Sequence, residues 1–266
     1  MNISCKICKI CGTDVNLYDQ AIIMGKFDVS YFECPNCGFV QTEEPYWMTE
    51  AYSSAITSSD IGLVQRNISL SLKLDYIFRR CFSFSNGGAF LDYGGGYGLL
   101  VRLMRDRGYD FEWYDEYCDN LFAQTHERKR PHYDVITSFE MLEHLPNPIK
   151  TIETIFEMCD SAIFSTELMP ESKPKMEDWW YSGLEHGQHI SFYTPKTMDY
   201  IANKFGKNYY RVTGLHIFSN TYHHVLFPNY GYRICAKIPF FIPHIGMKRE
   251  SLIKNDYNGL TGKELI

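Results

Sequence analysis

A chain of 266 residues with 45% hydrophobic and 22% charged residues is long and apolar enough for a real core, which excludes a compositionally disordered protein. Its formal net charge of −6 argues against a protein whose main work is gripping a nucleic-acid backbone. The start, MNISCKICKI, shows neither a secretion signal nor a bilayer-length apolar run, so no membrane insertion is expected and the cytoplasm is the expected location.

The first element is a cysteine cluster. Of nine cysteines, five fall in the first 37 residues as Cys5-x-x-Cys8-x-x-Cys11-Gly12 and Cys34-Pro35-Asn36-Cys37-Gly38. In each Cys-x-x-Cys-Gly knuckle two thiolates converge on one ion and the glycine lets the turn close. Cys8, Cys11, Cys34 and Cys37 are therefore expected to hold structural zinc in a ribbon module spanning residues 1–45. Cys5 is surplus, able to exchange with Cys8 or Cys11, while Cys81, Cys118, Cys159 and Cys235 read as core filler.

Residues 46–85 read as a helical docking segment, with apolar stripes at Val64, Ile68, Leu72 and at Leu70, Leu74, Ile77. From Gly88 onward short apolar runs alternate with amphipathic segments: AFLDY, LLVRLMRDRG, DFEWYD, YDVITSF, PIKTIETIFEMC, SAIFSTE, TPKTMDYIANKFG, then YYRVTG and YHHVLF. That order predicts an α/β, doubly wound, Rossmann-like domain over residues 86–235 with a mostly parallel sheet. Residues 236–266 remain as a C-terminal tail.

Phe90-Leu-Asp-Tyr-Gly-Gly-Gly-Tyr-Gly98 places a glycine-rich turn at the end of the first strand of that domain, where a ligand can approach the bare backbone. A dinucleotide fingerprint asks for a third glycine where Leu99 stands, and a phosphate loop asks for a Gly-Lys-Ser/Thr that is absent. Asp92 repels a pyrophosphate but suits the ammonium of a methionine-like cofactor, which favours S-adenosylmethionine.

At these residues the chain resembles the class I S-adenosylmethionine-dependent methyltransferases. Leu-Asp-Tyr-Gly-Gly-Gly-Tyr-Gly is similar to their first motif, and Asp115 lies 21 residues after Gly94, where that family places a carboxylate on the ribose hydroxyls. Tyr133-Asp-Val-Ile-Thr-Ser-Phe-Glu-Met-Leu-Glu-His144 resembles the family's fourth strand and following loop. Glu185-His-Gly-Gln-His189-Ile-Ser-Phe-Tyr-Thr-Pro195 resembles a subgroup found among sugar and polysaccharide methyltransferases, some with a zinc-binding segment ahead of the catalytic domain. The resemblance implies cofactor contacts from Asp92, Tyr93, Gly94, Gly96, Asp115 and Glu140. Between Asp115 and Asp134 there is little room for the family's third strand, and Gln124 to Arg130 offers no Asp or Asn for the adenine contact.

Glu140, Glu143 and His144 stand at i, i+3 and i+4, so a helical turn after the fourth strand would aim all three at one point, to hold a second divalent cation or to orient and deprotonate a hydroxyl. His186 and His189 come from the loop after the fifth strand, where substrate contacts collect. His189, or else His144, is the expected base, with Glu185 or Glu143 as its acidic partner; Glu185 is also an expected substrate contact, and the loop bearing Trp179, Trp180 and Tyr181 is expected to cover the acceptor. The expected reaction is methyl transfer from S-adenosylmethionine to a small molecule such as a sugar or nucleotide-linked sugar, at oxygen or carbon. The alternatives are an RNA-directed methyltransferase that binds through its ribbon and a non-catalytic cofactor-binding regulator. Oligomeric state is not legible.

Overall fold

The computed structural model describes residues 7–52, 61–84, 87–221 and 249–265. Cys5, Cys235 and the YHHVLF run lie outside the described residues.

The N-terminal segment begins with a hairpin of β1 (Asn16–Ile23) and β2 (Phe27–Glu33). Its tip, Met24-Gly25, takes positive φ at both residues, the conformation that matches the strand twist in a tight hairpin. A third strand, β3 (Val40–Thr42), pairs antiparallel with β2. The chain then passes through the short helix α1 (Met48–Ala51) to α2 (Leu63–Cys81). Of the two stripes expected on α2, Leu70, Leu74 and Ile77 are buried, whereas Val64 and Ile68 lie exposed. The third member of the first stripe, Leu72, is half-buried.

The large domain follows as β4 (Phe90–Tyr93), α3 (Leu99–Arg105), β5 (Phe111–Tyr114), β6 (Tyr133–Ser138), α4 (Pro148–Glu157) and β7 (Cys159–Phe164). A two-residue strand β8 (Ser191–Phe192) precedes α5 (Pro195–Phe205), β9 (Asn208–Val212), β10 (Leu215–Ser219) and α6 (Ile253–Thr261). The six-stranded sheet runs β5-β4-β6-β7-β10-β9, with β4, β5, β6 and β7 parallel and β10 antiparallel to both its neighbours. The expected mostly parallel α/β sheet is present. The strand LHIFS is one that the sequence pattern did not mark.

Neighbouring strand residues alternate between two cores, as the period of two demands. Leu91, Ile136 and Phe218 face α4 and α5, while Phe90, Val135 and Ile217 face α2 and α3. Between β5 and β6 only an isolated bridge, Trp113 to Glu127, takes the place of a third strand. The tail is anchored rather than loose at α6, where the buried Asp256 receives both Arg105 Nε and Nη2 at 2.8 Å. Among the described residues no helix is long and apolar enough to cross a membrane.

The ribbon is not a bead on a string. Strand β8 pairs with β3, Val40 opposite Phe192 and Gln41 opposite Ser191, so the large domain completes a four-stranded sheet β1-β2-β3-β8. A third core gathers Ile23, Tyr31 and Trp47 with Trp179, Tyr181 and Phe192 across that junction.

Candidate active site

Both cysteine knuckles close as their spacing requires. Gly12 N–H donates to the Cys8 carbonyl and Gly38 N–H to the Cys34 carbonyl, each at 2.9 Å. Cys8 and Cys37 Sγ lie 3.5 Å apart, Cys11 and Cys34 Sγ 3.4 Å, and all four sulfurs fall within 4.8 Å of one another. A tetrahedron of Zn–S bonds of about 2.3 Å puts sulfurs about 3.8 Å apart, so the four thiols fit such an ion. Cys159 is buried as expected of core filler, while Cys81 and Cys118 are only partly so.

At the carboxyl ends of the parallel strands lies a cleft of about 1190 Å³, the position that open α/β sheets use for ligands. One lobe is the glycine turn. Gly94 and Gly95 N–H both donate to the Tyr114 carbonyl, at 2.8 and 3.1 Å, and Trp113 Nε1 donates to Gly96 O at 2.8 Å. Gly94 has φ +74, a conformation L side chains rarely adopt, and a Cβ there would stand 3.3 Å from Met141 Sδ. Asp92, Tyr93, Gly94, Gly96 and Asp115 all line this lobe.

The two acids differ. Asp92 is 4% exposed and accepts from the Thr137 hydroxyl at 2.7 Å. Burial pushes its carboxyl up to about 7, against the pull of the Thr137 bond and with the aid of the Asp115 charge. Asp115 accepts from Gly96 N–H at 2.9 Å and from the Tyr117 and Cys118 N–H groups at 2.8 and 2.9 Å. It thereby ties the end of β5 to the glycine turn, a bracing role that spacing alone does not reveal.

In the other lobe the residues after β6 depart from the expected helical turn. Glu140 takes φ +51, which breaks the helix before it starts. The Ser165 hydroxyl clasps it twice, accepting from Glu140 N–H at 2.9 Å and donating to its carboxylate at 2.6 Å. A 3₁₀ turn over Leu142–His144 follows instead. Glu140 therefore does not join Glu143 and His144; the group that converges is Glu143, His144 and His189, with ligand atoms within 4.8 Å of one another.

Glu143 is fully buried, with the Tyr181 and Thr166 hydroxyls beside its carboxylate. Burial, and then the charge of Glu140, raises its carboxyl above the ordinary range. The His189 ring has Nδ1 2.6 Å from the Tyr181 carbonyl, which can only accept, so Nδ1 carries the proton and Nε2 keeps its lone pair. His144 Nδ1 stands 3.2 Å from the Gln188 carbonyl and 3.0 Å from the Tyr52 hydroxyl, which fixes the same tautomer. Burial lowers the two imidazoles, to about 4 for His189 and about 3 for His144. His186 is the opposite tautomer, since its Nδ1 accepts from Gln188 N–H at 3.1 Å. It lines the cleft but does not join the group.

The aromatic loop is not a lid over this cleft. Trp179 packs against Phe192 in the ribbon-side core, Trp180 is 78% exposed, and Glu185 points to solvent; none of the three lines the cleft. Tyr181 is buried, with its hydroxyl 3.2 Å from Thr166 Oγ1, and serves the site through its backbone carbonyl. The residues that do close this side are Met48, Thr49 and Tyr52, which sequence reading missed because nothing local marks a linker as cleft wall.

A family profile described as a methyltransferase domain matches residues 66–212. The ubiquinone biosynthesis O-methyltransferase of Yersinia enterocolitica serotype O:8 is 26% identical over 151 residues, covering 47% of this chain and 58% of that protein. The protein of the same name from Acinetobacter baylyi is 27% identical over 176 residues, 54% of this chain and 73% of its own. Of the first relative's length, the chain thus spans only 58%. An O-methyltransferase family protein from Burkholderia thailandensis aligns with TM-score 0.44 and 14% identity over 60% of this chain and 56% of that one. Magnesium protoporphyrin IX methyltransferase from Synechocystis, solved with bound S-adenosylhomocysteine, gives 0.42 and 13% over 64% and 90%. Because the profile match runs over more than half of the residues and includes the whole glycine turn, the chain belongs to the class I S-adenosylmethionine-dependent methyltransferases.

Proposed function

We propose that the protein transfers a methyl group from S-adenosylmethionine to a small acceptor, with His189 taking the acceptor's proton. The observation that carries this reading is the shape of the cleft. Single-ligand pockets run from about 300 to about 1,000 Å³, and one of about 1190 Å³ has room for cofactor and acceptor side by side. The glycine turn forms one lobe, and His189, with Nε2 unprotonated, lines the other.

Methyl transfer is an in-line displacement at a sulfonium that already carries its activation, so the protein's part is alignment in a dry cleft. In this reading Asp92 faces the cofactor ammonium, the bare backbone at Gly94 and Gly96 admits the cofactor, and Asp115 takes the ribose. His189 Nε2 receives the acceptor proton while its Nδ1–H stays on the Tyr181 carbonyl, so the ring need not turn during the step. A sugar or nucleotide-linked sugar, methylated at oxygen or carbon, is the proposed acceptor class. The resemblance around His186 and His189 supports it.

Two metal sites belong to the proposal. Zinc held by Cys8, Cys11, Cys34 and Cys37 is structural, since four thiolates leave no open position. A divalent cation can be held by Glu143, His144 and His189, in place of the Glu140, Glu143 and His144 set expected from spacing. The buried carboxylate of Glu143 and the two Nε2 lone pairs suit a transition ion better than magnesium. When bound, such an ion supplies Lewis acidity toward an acceptor hydroxyl, and His189 is then its ligand rather than the base.

RNA binding through the ribbon finds less support, because Lys9 and Lys26 are paired with Glu44 and Glu50. The test is transfer of radiolabelled methyl from S-adenosylmethionine to free sugars, nucleotide-linked sugars and catechols, with and without added manganese or zinc. Labelled sugar supports the reading, and label in catechol alone moves the acceptor class. Cofactor binding without transfer to any acceptor favours a regulator.

A further inference from the structure

The loop that carries His186 and His189 is held on two sides. Toward β6, Ile190 N–H donates to the Glu143 carbonyl at 2.8 Å and the Ser191 hydroxyl to the Leu145 carbonyl at 2.8 Å. Toward the ribbon, Met24 N–H donates to Leu184 O at 2.7 Å, Thr42 N–H to Ile190 O at 3.1 Å, and Trp47 Nε1 to Gly187 O at 2.7 Å. Gln188 Nε2 returns a bond to Ala51 O at 2.8 Å. Contact is close enough that a Cβ on Gly187 would meet Ile23 Cγ2 at 2.5 Å.

One residue joins these bonds to the cysteine knuckles. The Gln41 side chain accepts from Lys9 N–H at 2.8 Å and donates to the Ile7 carbonyl at 3.1 Å, clasping the first knuckle, and it is fully buried. Its backbone pairs with Ser191, two residues after His189. The second knuckle is fixed from the other end, where the Thr197 hydroxyl donates to the Cys37 carbonyl at 3.0 Å. The glycine turn, by contrast, draws its bonds from Trp113, Tyr114 and Asp115.

We propose that the ribbon is a working part of the catalytic site: Gln41 and Trp47 are positioning residues that set His189 through loop 183–191, while the cofactor lobe stands independently of them. The proposal rests on the reading that His189 serves the acceptor lobe, as base or as cation ligand. A ribbon whose only task was to recruit a partner would need none of these bonds to the loop.

The test uses the full zinc-loaded chain and two variants that approach the contact from opposite sides. Trp47→Phe keeps the ring packing and removes the donor, and Gly187→Ala wedges the loop from the ribbon. Zinc content, S-adenosylhomocysteine affinity, amide exchange and the imidazole ¹⁵N resonances are measured on each. Both variants are expected to keep stoichiometric zinc and to bind S-adenosylhomocysteine within about twofold, while the Ile190 amide exchanges about fivefold faster or more and the His189 resonances shift. His189 resonances and loop exchange that stay unchanged in both variants overturn the proposal. So does a parallel loss of S-adenosylhomocysteine affinity, which marks general destabilisation. Should His189→Ala retain full turnover, the functional reading falls, whereas exchange and resonances judge the positioning by themselves.

Discussion

The Nδ1 of His189 lies 2.6 Å from the carbonyl of Tyr181, and this one bond decides that Nε2 faces the cleft as a lone pair. His189→Ala is therefore expected to lower methyl transfer roughly 10²- to 10⁴-fold. S-Adenosylhomocysteine affinity should stay unchanged. Single-turnover rates with labelled cofactor beside a binding titration check this, and undiminished turnover removes His189 as the base.

Asp115 braces the glycine turn through Gly96 and is proposed to take the ribose. Losing a charged hydrogen-bonding group at that point should weaken S-adenosylhomocysteine about 10- to 100-fold in Asp115→Ala. Calorimetric titration of both forms, with NAD and ATP as controls, measures it. Equal affinity in the two forms would clear Asp115 of any cofactor role.

Asp92 is expected to make cofactor binding pH-dependent. Its folded value near 7 lies above the ordinary 3.8, so the unliganded fold holds that proton longer than the unfolded chain does. The Asp92 contribution to stability is thus full below 3.8 and is lost as pH rises through 7. Cofactor binding is expected to have the opposite sign, because the proposed ammonium contact selects the ionised carboxylate. Affinity should fall about tenfold per unit as pH drops below 7. Asp92→Asn should flatten both dependences, and titrations and melts between pH 5.5 and 8.5 compare them.

Zinc is expected at one ion per ribbon. Cys34→Ser or Cys37→Ser should lose it and unfold the sheet β1-β2-β3-β8, since a four-cysteine ribbon folds with its metal. Cobalt replacement should give the intense charge-transfer absorption of a tetrathiolate. Full zinc content in both variants would contradict the assignment.

Asp256 tests the role of the tail. Its pair with Arg105 leaves the two side chains 4% and 7% exposed, and Asp256→Ala leaves that guanidinium with Asp110 Oδ1 at 2.6 Å and the Phe111 carbonyl at 2.9 Å. Losing one charged hydrogen-bonding partner costs about 1.5–3 kcal/mol, a fall in Tm of roughly 3–12 °C for a domain of this size. Thermal melts decide, and an unchanged Tm would mean the pair contributes nothing.

Much of this molecule was legible from local signals. The two Cys-x-x-Cys-Gly knuckles, the alternation of strands with amphipathic helices, and the glycine turn with acids two residues before and 21 after Gly94 all act over short spans, where residue type dictates backbone geometry. The capping pair Thr194 and Thr197, with Pro195 at the start and Gly206 at the end, marks α5 in the same way. Local signals failed where a distant partner outweighed them. Glu140 fits a helical i, i+3, i+4 set, but Ser165 holds it in a left-handed conformation. Trp179 and Tyr181 suit a substrate lid as well as a core, and Trp47 and Phe192 decide for the core. Spacing along the chain was enough for the fold class, the family resemblance and the cysteine cluster. Folding in three dimensions was needed to place His189, not Glu140, with Glu143 and His144, and to bring the ribbon to that loop through Gln41 and Trp47. These contacts join residues from 45 to 150 positions apart, and their geometry exists only once the intervening sheet has folded.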